Sequence, residues 1–143
     1  MAHPAELFEK AVSFTLEGKE GIQKIQDAMK TMRSELEACK TADAAANLIG
    51  GPVVKAVCDY SKSVRYEFTA DGVVETELTL PKSNVLLYEI GGDKGLDWAC
   101  ARPSGTEPKL KIYFGIYHSD KQAALDRLDE VKAQMSAFVQ AKL

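Results

Sequence analysis

Apolar residues recur at helical spacing in two stretches of the chain, one near its start and one at its end. Between Gly18 and about Ala38 they stand three or four positions apart, with charged and amide side chains between them. The same spacing returns from Asp120 to the end of the chain. The pattern predicts two amphipathic helices, each with one apolar face that must pack against another element.

The region between these helices alternates apolar and polar positions, which is typical of half-buried strands. It predicts strands over residues 53–58, 64–69, 74–80, 85–90, 97–101 and 110–117. Asp71-Gly72 predicts a tight turn between the second and third of these strands. A short helical turn is expected over residues 41–49, before the break at Gly50-Gly51-Pro52.

The order of these elements predicts an α+β fold, an antiparallel sheet of four or more strands with helices packed on one face. Residues 1–16 fit this plan poorly, because Phe8, Val12 and Phe14 show no clear period that connects them to the first helix. We therefore interpret residues 1–16 as the remnant of an interdomain linker and residues 17–143 as the folded domain.

Length and charge narrow the possible functions. The 143 residues suffice for one compact domain with a buried core. A formal net charge of −3 argues against a general nucleic-acid-binding protein, although it allows a small local anion site. No apolar run approaches the roughly 20 residues that span a bilayer, so we expect no membrane partner. Three cysteines in no paired spacing, and no secretory signal, predict a reducing, cytoplasmic location.

The connection between the last two predicted strands carries the residue types that bind phosphate. Residues 102–109 read Arg-Pro-Ser-Gly-Thr-Glu-Pro-Lys, longer than the roughly two to five residues of an ordinary hairpin loop. Arg102 offers a planar fork of donors, and Ser104 and Thr106 offer hydroxyl groups. Gly105 allows successive backbone N–H groups to converge on an anion.

Lys111, on the polar face of the last predicted strand, is expected to reach the same anion, and Glu107 to point away from it or to order Lys109. Residue types alone leave two interpretations open. The segment is either an anion site or an ordinary surface loop, because Ser, Gly and Pro are common in turns.

The order of residues in Arg102–Tyr113 resembles the phosphate-binding loop in the C-terminal domain of the α-D-phosphohexomutases. This family includes phosphoglucomutases, phosphomannomutases and phosphoglucosamine mutases. Residues 12–21, 80–86 and 98–101 resemble other parts of the same domain, and the resemblance is weakest over residues 39–51. It implies a fold similar to the TATA-box-binding protein, with residues 17–143 as the phosphate-binding domain.

The resemblance also implies a division of labour in a longer parent enzyme. Arg102, Ser104, Gly105 and Thr106, with Lys111 as a further member, would bind the phosphate of a hexose phosphate, and this domain would hold no catalytic residue and no metal. Three other domains would supply a phosphoserine, an aspartate loop for Mg²⁺ and a sugar-recognition loop. The sequence contains neither a Ser-His-Asn-Pro run nor an Asp-x-Asp-x-Asp run.

Two main functions therefore remain open at this point. The first is the phosphate-binding domain of an isomerase that interconverts hexose 1-phosphate and hexose 6-phosphate through a bisphosphate intermediate, inactive when isolated. The second is a free-standing module that binds phosphosugars or another anion without turnover. A nucleic-acid module, suggested by the fold resemblance alone, is disfavoured by the acidic net charge.

Overall fold

The computed structural model describes residues 4–143, so residues 1–3 of the predicted linker lie outside the described part of the chain. Within residues 4–143 there are three helices: α1 (Gly18–Ala38), α2 (Ala42–Ala46) and α3 (Lys121–Gln140). The same residues form seven strands: β1 (Glu6–Thr15), β2 (Ala56–Asp59), β3 (Val64–Thr69), β4 (Gly72–Glu77), β5 (Leu86–Gly91), β6 (Asp97–Pro103) and β7 (Lys109–His118).

All strands join one antiparallel sheet in the order β1-β7-β6-β5-β2-β3-β4. Two meanders, β2-β3-β4 and β5-β6-β7, meet where β2 pairs with β5. The apolar stripes of α1 and α3 pack on one face of the sheet, so the predicted α+β class is confirmed. The similarity to the TATA-box-binding protein stays a prediction.

One face of the sheet forms the core with the helices, and within residues 4–143 no helix packs on the other. Along β7 the core-facing residues are fully buried, as the alternation predicts: Leu110, Ile112, Phe114 and Ile116. We call the opposite side the open face. The side chains that alternate onto it from β6 and β7 include Trp98, Cys100, Arg102, Lys111 and Tyr113.

A strand lies in the segment where the sequence pattern showed no regular element. Residues of β1 pair with β7 along their whole length, from Glu6 opposite His118 to Thr15 opposite Lys109. The apolar alternation is interrupted because Lys10 occupies a position on the helix side. Its Nζ lies 2.6 Å from Asp129 Oδ1 of α3. Because β1 is at the edge of the sheet, the Lys10 side chain stays exposed to solvent in this position.

A buried carboxylate connects α3 to the start of β6. Asp97 Oδ2 accepts a hydrogen bond from Arg127 Nε at 2.6 Å, and Asp97 Oδ1 accepts one from the backbone N–H of Tyr117 at 2.9 Å. Arg127 Nη2 also donates to the Ile90 carbonyl oxygen at 3.1 Å. The Asp97 side chain is fully buried, so this cluster fixes the helix against three strands.

Candidate functional site

Arg102 and Lys111 lie directly opposite each other on β6 and β7, both exposed on the open face. Directly opposed side chains on neighbouring antiparallel strands have Cβ atoms about 5 Å apart, and like charges there repel. The sequence placed both residues in one site, and the register brings them together. Such a pair of cations is stabilised by an anion that binds between them.

The ion pairs of the described residues set Arg102 apart from the other arginines. Arg33, Arg65 and Arg127 each pair with a carboxylate, at 3.1, 2.7 and 2.6 Å respectively. Among residues 4–143, neither Arg102 nor Lys111 has a carboxylate oxygen within ion-pair distance. Their charges are therefore available to a ligand.

The loop beside these cations is shorter than the sequence suggested. β6 continues to Pro103 and β7 begins at Lys109, so the eight-residue length was wrong and residues 104–108 form the connection. Backbone pairing extends past the predicted strand end because Pro103 sits opposite Leu110. The Ser104 N–H donates to the Lys109 carbonyl oxygen at 2.9 Å, which closes the loop at its base.

Backbone donors at the tip of the loop are open to a ligand. Gly105 has a φ of 86°, in the left-handed region that favours glycine. Across the described part of the chain, no carbonyl or side chain accepts a hydrogen bond from the N–H groups of Gly105 and Thr106. Ser104 and Thr106 are exposed, so their hydroxyl groups are accessible too.

Contacts at the far end of the loop restrict its motion. The Leu16 N–H donates to the Pro108 carbonyl oxygen at 2.8 Å, and a Cβ added to Gly21 would lie 3.0 Å from Pro108 Cβ. Glu107 Oε2 lies 3.8 Å from Lys109 Nζ, which agrees with the expectation that Glu107 orders Lys109. The loop is thus tied to the junction of β1 and α1.

Replacing Gly105 with alanine is expected to weaken phosphate binding about fivefold. The added methyl group meets no atom within 4 Å, so the cost is the backbone strain of about 1 kcal/mol at positive φ. Gly95→Ala is a matched control, since Gly95 has a φ of 71°, equally open surroundings and a position at the other end of β6. Titration of both variants with inorganic phosphate should show the loss in Gly105→Ala alone. Equal affinities in the two variants would contradict the role of the loop backbone.

A cleft of about 690 Å³ lies on the open face beside Arg102, and sequence reasoning did not predict it. Trp98, Cys100 and Tyr113 line it together with Leu80 and other residues from before β5. Burial raises the pKa of the Cys100 thiol to about 11, against the opposing effect of the Arg102 guanidinium. The thiol therefore stays neutral near pH 7 and adds no negative charge beside Arg102.

A second charged pair on the open face lies on strands β3 and β5. Arg65 Nε and Nη2 donate to the two carboxylate oxygens of Glu89 at 2.7 and 2.9 Å. These hydrogen bonds lower the pKa of Glu89 below its usual value. Arg65 therefore has a carboxylate partner, unlike Arg102 and Lys111 among residues 4–143.

The lowered pKa of Glu89 predicts a pH-dependent contribution to stability. A depressed folded-state pKa means that the contribution is present above the usual glutamate pKa of about 4.3 and is lost as pH falls through the folded-state value. The free energy of unfolding of the unaltered chain should exceed that of Glu89→Gln by a constant amount at neutral pH. Urea denaturation should show this difference shrinking below about pH 4. A difference that stays the same down to pH 2 would contradict the assignment.

The structure of residues 4–143 bears on two other kinds of site. No helix of this part of the chain is long and apolar enough to cross a membrane. No group of three or more His, Cys, Asp or Glu side chains within it is arranged to hold a metal ion.

Comparison with known proteins identifies relatives of one kind. The chain is 34% identical over 127 residues to a phosphoglucomutase of Staphylococcus aureus strain MRSA252, covering 89% of this chain and 19% of that protein. It is 31% identical over 131 residues to a phosphoglucomutase of Staphylococcus saprophyticus, covering 90% and 19%. A phosphoglucomutase of the bovine S. aureus strain RF122 is 38% identical over 104 residues, covering 73% and 16%.

These relatives confirm the resemblance to the phosphohexomutases. The chain spans about 19% of the length of the first two phosphoglucomutases, so it corresponds to one part of those proteins. No protein-family model matches the chain, and no solved structure matches it.

Proposed function

We propose that this chain, a relative of part of the phosphoglucomutases, is the substrate-phosphate-binding domain of a hexose phosphate mutase. One observation carries the proposal. Arg102 and Lys111 face each other without a carboxylate partner among residues 4–143, beside a loop whose glycine has positive φ. Two adjacent cations and open backbone donors are what a phosphate dianion requires.

Each residue has a defined part in binding. Arg102 donates two parallel hydrogen bonds to phosphate oxygens, and Lys111 contributes a second positive charge. The N–H groups of Gly105 and Thr106 and the hydroxyl groups of Ser104 and Thr106 donate to the remaining oxygen lone pairs. Glu107 stays paired with Lys109 and does not repel the ligand.

In the parent enzyme the loop holds the phosphate that does not react. Binding energy from this remote phosphate orients the sugar and brings the domains of the enzyme together around it. It therefore increases the rate of phosphoryl transfer at the reacting end of the sugar. The transferable phosphoryl group and the Mg²⁺ belong to the domains outside this chain. The isolated chain is inactive for that reason, and glucose phosphates are the proposed substrates because the named relatives are phosphoglucomutases.

A cytoplasmic location belongs to the same proposal. Cys39, Cys58 and Cys100 are free thiols, and burial raises the pKa of each one. Neutral thiols without a disulfide partner are typical of a reducing compartment.

A chimera tests the proposal at the level of catalysis. This chain would replace the matching segment of the S. aureus phosphoglucomutase, with Arg102 retained or changed to alanine. Interconversion of glucose 1-phosphate and glucose 6-phosphate should be measurable with Arg102, and kcat/KM should fall about 100-fold with alanine. Equal kcat/KM values would refute the proposed role. If the chimera is inactive although this chain alone binds glucose phosphates, the result would favour the free-standing binding module.

A further inference from the structure

The cleft on the open face adjoins the proposed phosphate site through a shared residue. Arg102 lines the cleft and also stands at the base of the loop of residues 104–108. Among the residues that line the cleft, Arg102 is the charged one. A ligand that occupies the cleft and complements this charge therefore has one anionic group at the Arg102 end.

The rest of the cleft suits a compact ring. Trp98, Tyr113 and Leu87 supply aromatic and aliphatic surface from three adjacent strands, and Tyr60 adds a further aromatic side chain that carries a hydroxyl group. The volume of about 690 Å³ falls within the roughly 300–1,000 Å³ of small-molecule sites. Apolar walls with a few polar groups are the usual lining of such sites.

The indole of Trp98 lies against the backbone of Gly115 on β7. A Cβ at Gly115 would overlap the indole ring, so glycine at this position lets the ring lie against the strand. Trp98 and Arg102 are two alternations apart on the same face of β6, which places them about 13 Å from each other along the strand. Cys100 and the facing Tyr113 lie between them, about 7 Å along the strand from each. A six-membered ring attached to a phosphate at Arg102 can therefore lie over Tyr113, with the indole of Trp98 at its far side.

We propose that the cleft binds the sugar ring of the hexose phosphate, with the C–H face of the ring packed on Trp98 and Tyr113. The inference rests on the proposed function, because the phosphate at Arg102 sets the position of the ring. It adds a second part to the site: the loop binds the phosphate, and the open face binds the body of the same molecule. This chain then contributes to sugar affinity as well as to phosphate affinity.

The test uses the fluorescence of Trp98, which is the chain's one tryptophan. Glucose 1-phosphate or glucose 6-phosphate should change the emission of Trp98 in a saturable way, well beyond the change caused by inorganic phosphate or neutral glucose. In parallel, both hexose phosphates and inorganic phosphate should raise the melting temperature of the chain.

A pair of matched variants separates the cleft from the rest of the surface. Leu80 lines the cleft and is 57% exposed. Leu96 is 59% exposed, directly precedes β6 and is not among the residues that line the cleft. Leu80→Ser should weaken hexose phosphate binding about threefold and leave inorganic phosphate binding unchanged, and Leu96→Ser should alter neither. Both side chains are solvent-exposed, so neither change threatens the fold.

Each result decides between the two parts of the site. Stabilisation by both ligands without a sugar-dependent change in Trp98 emission would overturn the ring site and leave the phosphate loop in place. Absence of stabilisation by either ligand would overturn the proposed function, and the ring site with it.

Discussion

Arg102→Ala is expected to lower the affinity of the chain for phosphate about 100-fold without unfolding it. Each charge-assisted hydrogen bond contributes about 1.5–3 kcal/mol, and loss of roughly 3 kcal/mol corresponds to a factor of about 100. Arg102 is exposed and has no carboxylate partner among residues 4–143, so its removal breaks no ion pair there. The measurement is the rise in melting temperature on adding inorganic phosphate or glucose 1-phosphate, which the variant should lose.

Lys94→Ala is the matched control for this experiment. Lys94 is an exposed cation in the turn before β6, at the end of the sheet opposite the loop of residues 104–108. It should keep the full phosphate-dependent rise in melting temperature. Equal rises in Arg102→Ala and Lys94→Ala would remove Arg102 from the site.

Asp97→Ala is expected to destabilise the chain by about 3 kcal/mol or more. Removal of one partner of a buried ion pair typically costs about 3–5 kcal/mol, because the other charge loses its compensation. The variant also leaves the Tyr117 N–H without the acceptor at 2.9 Å and frees α3 from β6. Urea denaturation at neutral pH measures the loss directly.

Asp93→Ala tests whether the effect depends on burial. Asp93 pairs with Lys94 at 3.5 Å, with both side chains more than a third exposed. Exposed pairs contribute about 0–1 kcal/mol, so this variant should stay close to the unaltered chain. Similar losses in the two aspartate variants would mean that the Asp97 cluster does not connect the helix to the sheet.

The strongly periodic elements could be predicted from the sequence. α1 spans the predicted Gly18–Ala38, and the alternation in β7 assigned Leu110 and Ile112 to the core and Lys111 to the other face. These elements are predictable because each buries a continuous apolar stripe. β1 could not be predicted, because the edge position lets Lys10 reach out to Asp129 of α3 and interrupts the alternation.

Part of the candidate site was also visible in the sequence. The composition of residues 102–108 and the alternation of the following strand suggested that Arg102 and Lys111 act together, and the register puts them opposite each other. The cleft beside them could not be predicted. It joins Tyr60, Leu80 and Trp98, which are distant in the sequence and meet because β2 pairs with β5. That pairing depends on sheet order, which local patterns do not encode.

The position of bound phosphate tests the central claim most directly. Amide resonances of the chain, followed by two-dimensional NMR during titration with inorganic phosphate, report which backbone groups meet the ligand. We expect saturable shifts centred on Ser104, Gly105 and Thr106, with smaller shifts at Arg102 and Lys111, and no such response to neutral glucose. Shifts scattered over the surface, or centred on another part of the sheet, would contradict the assignment of this loop as the phosphate site.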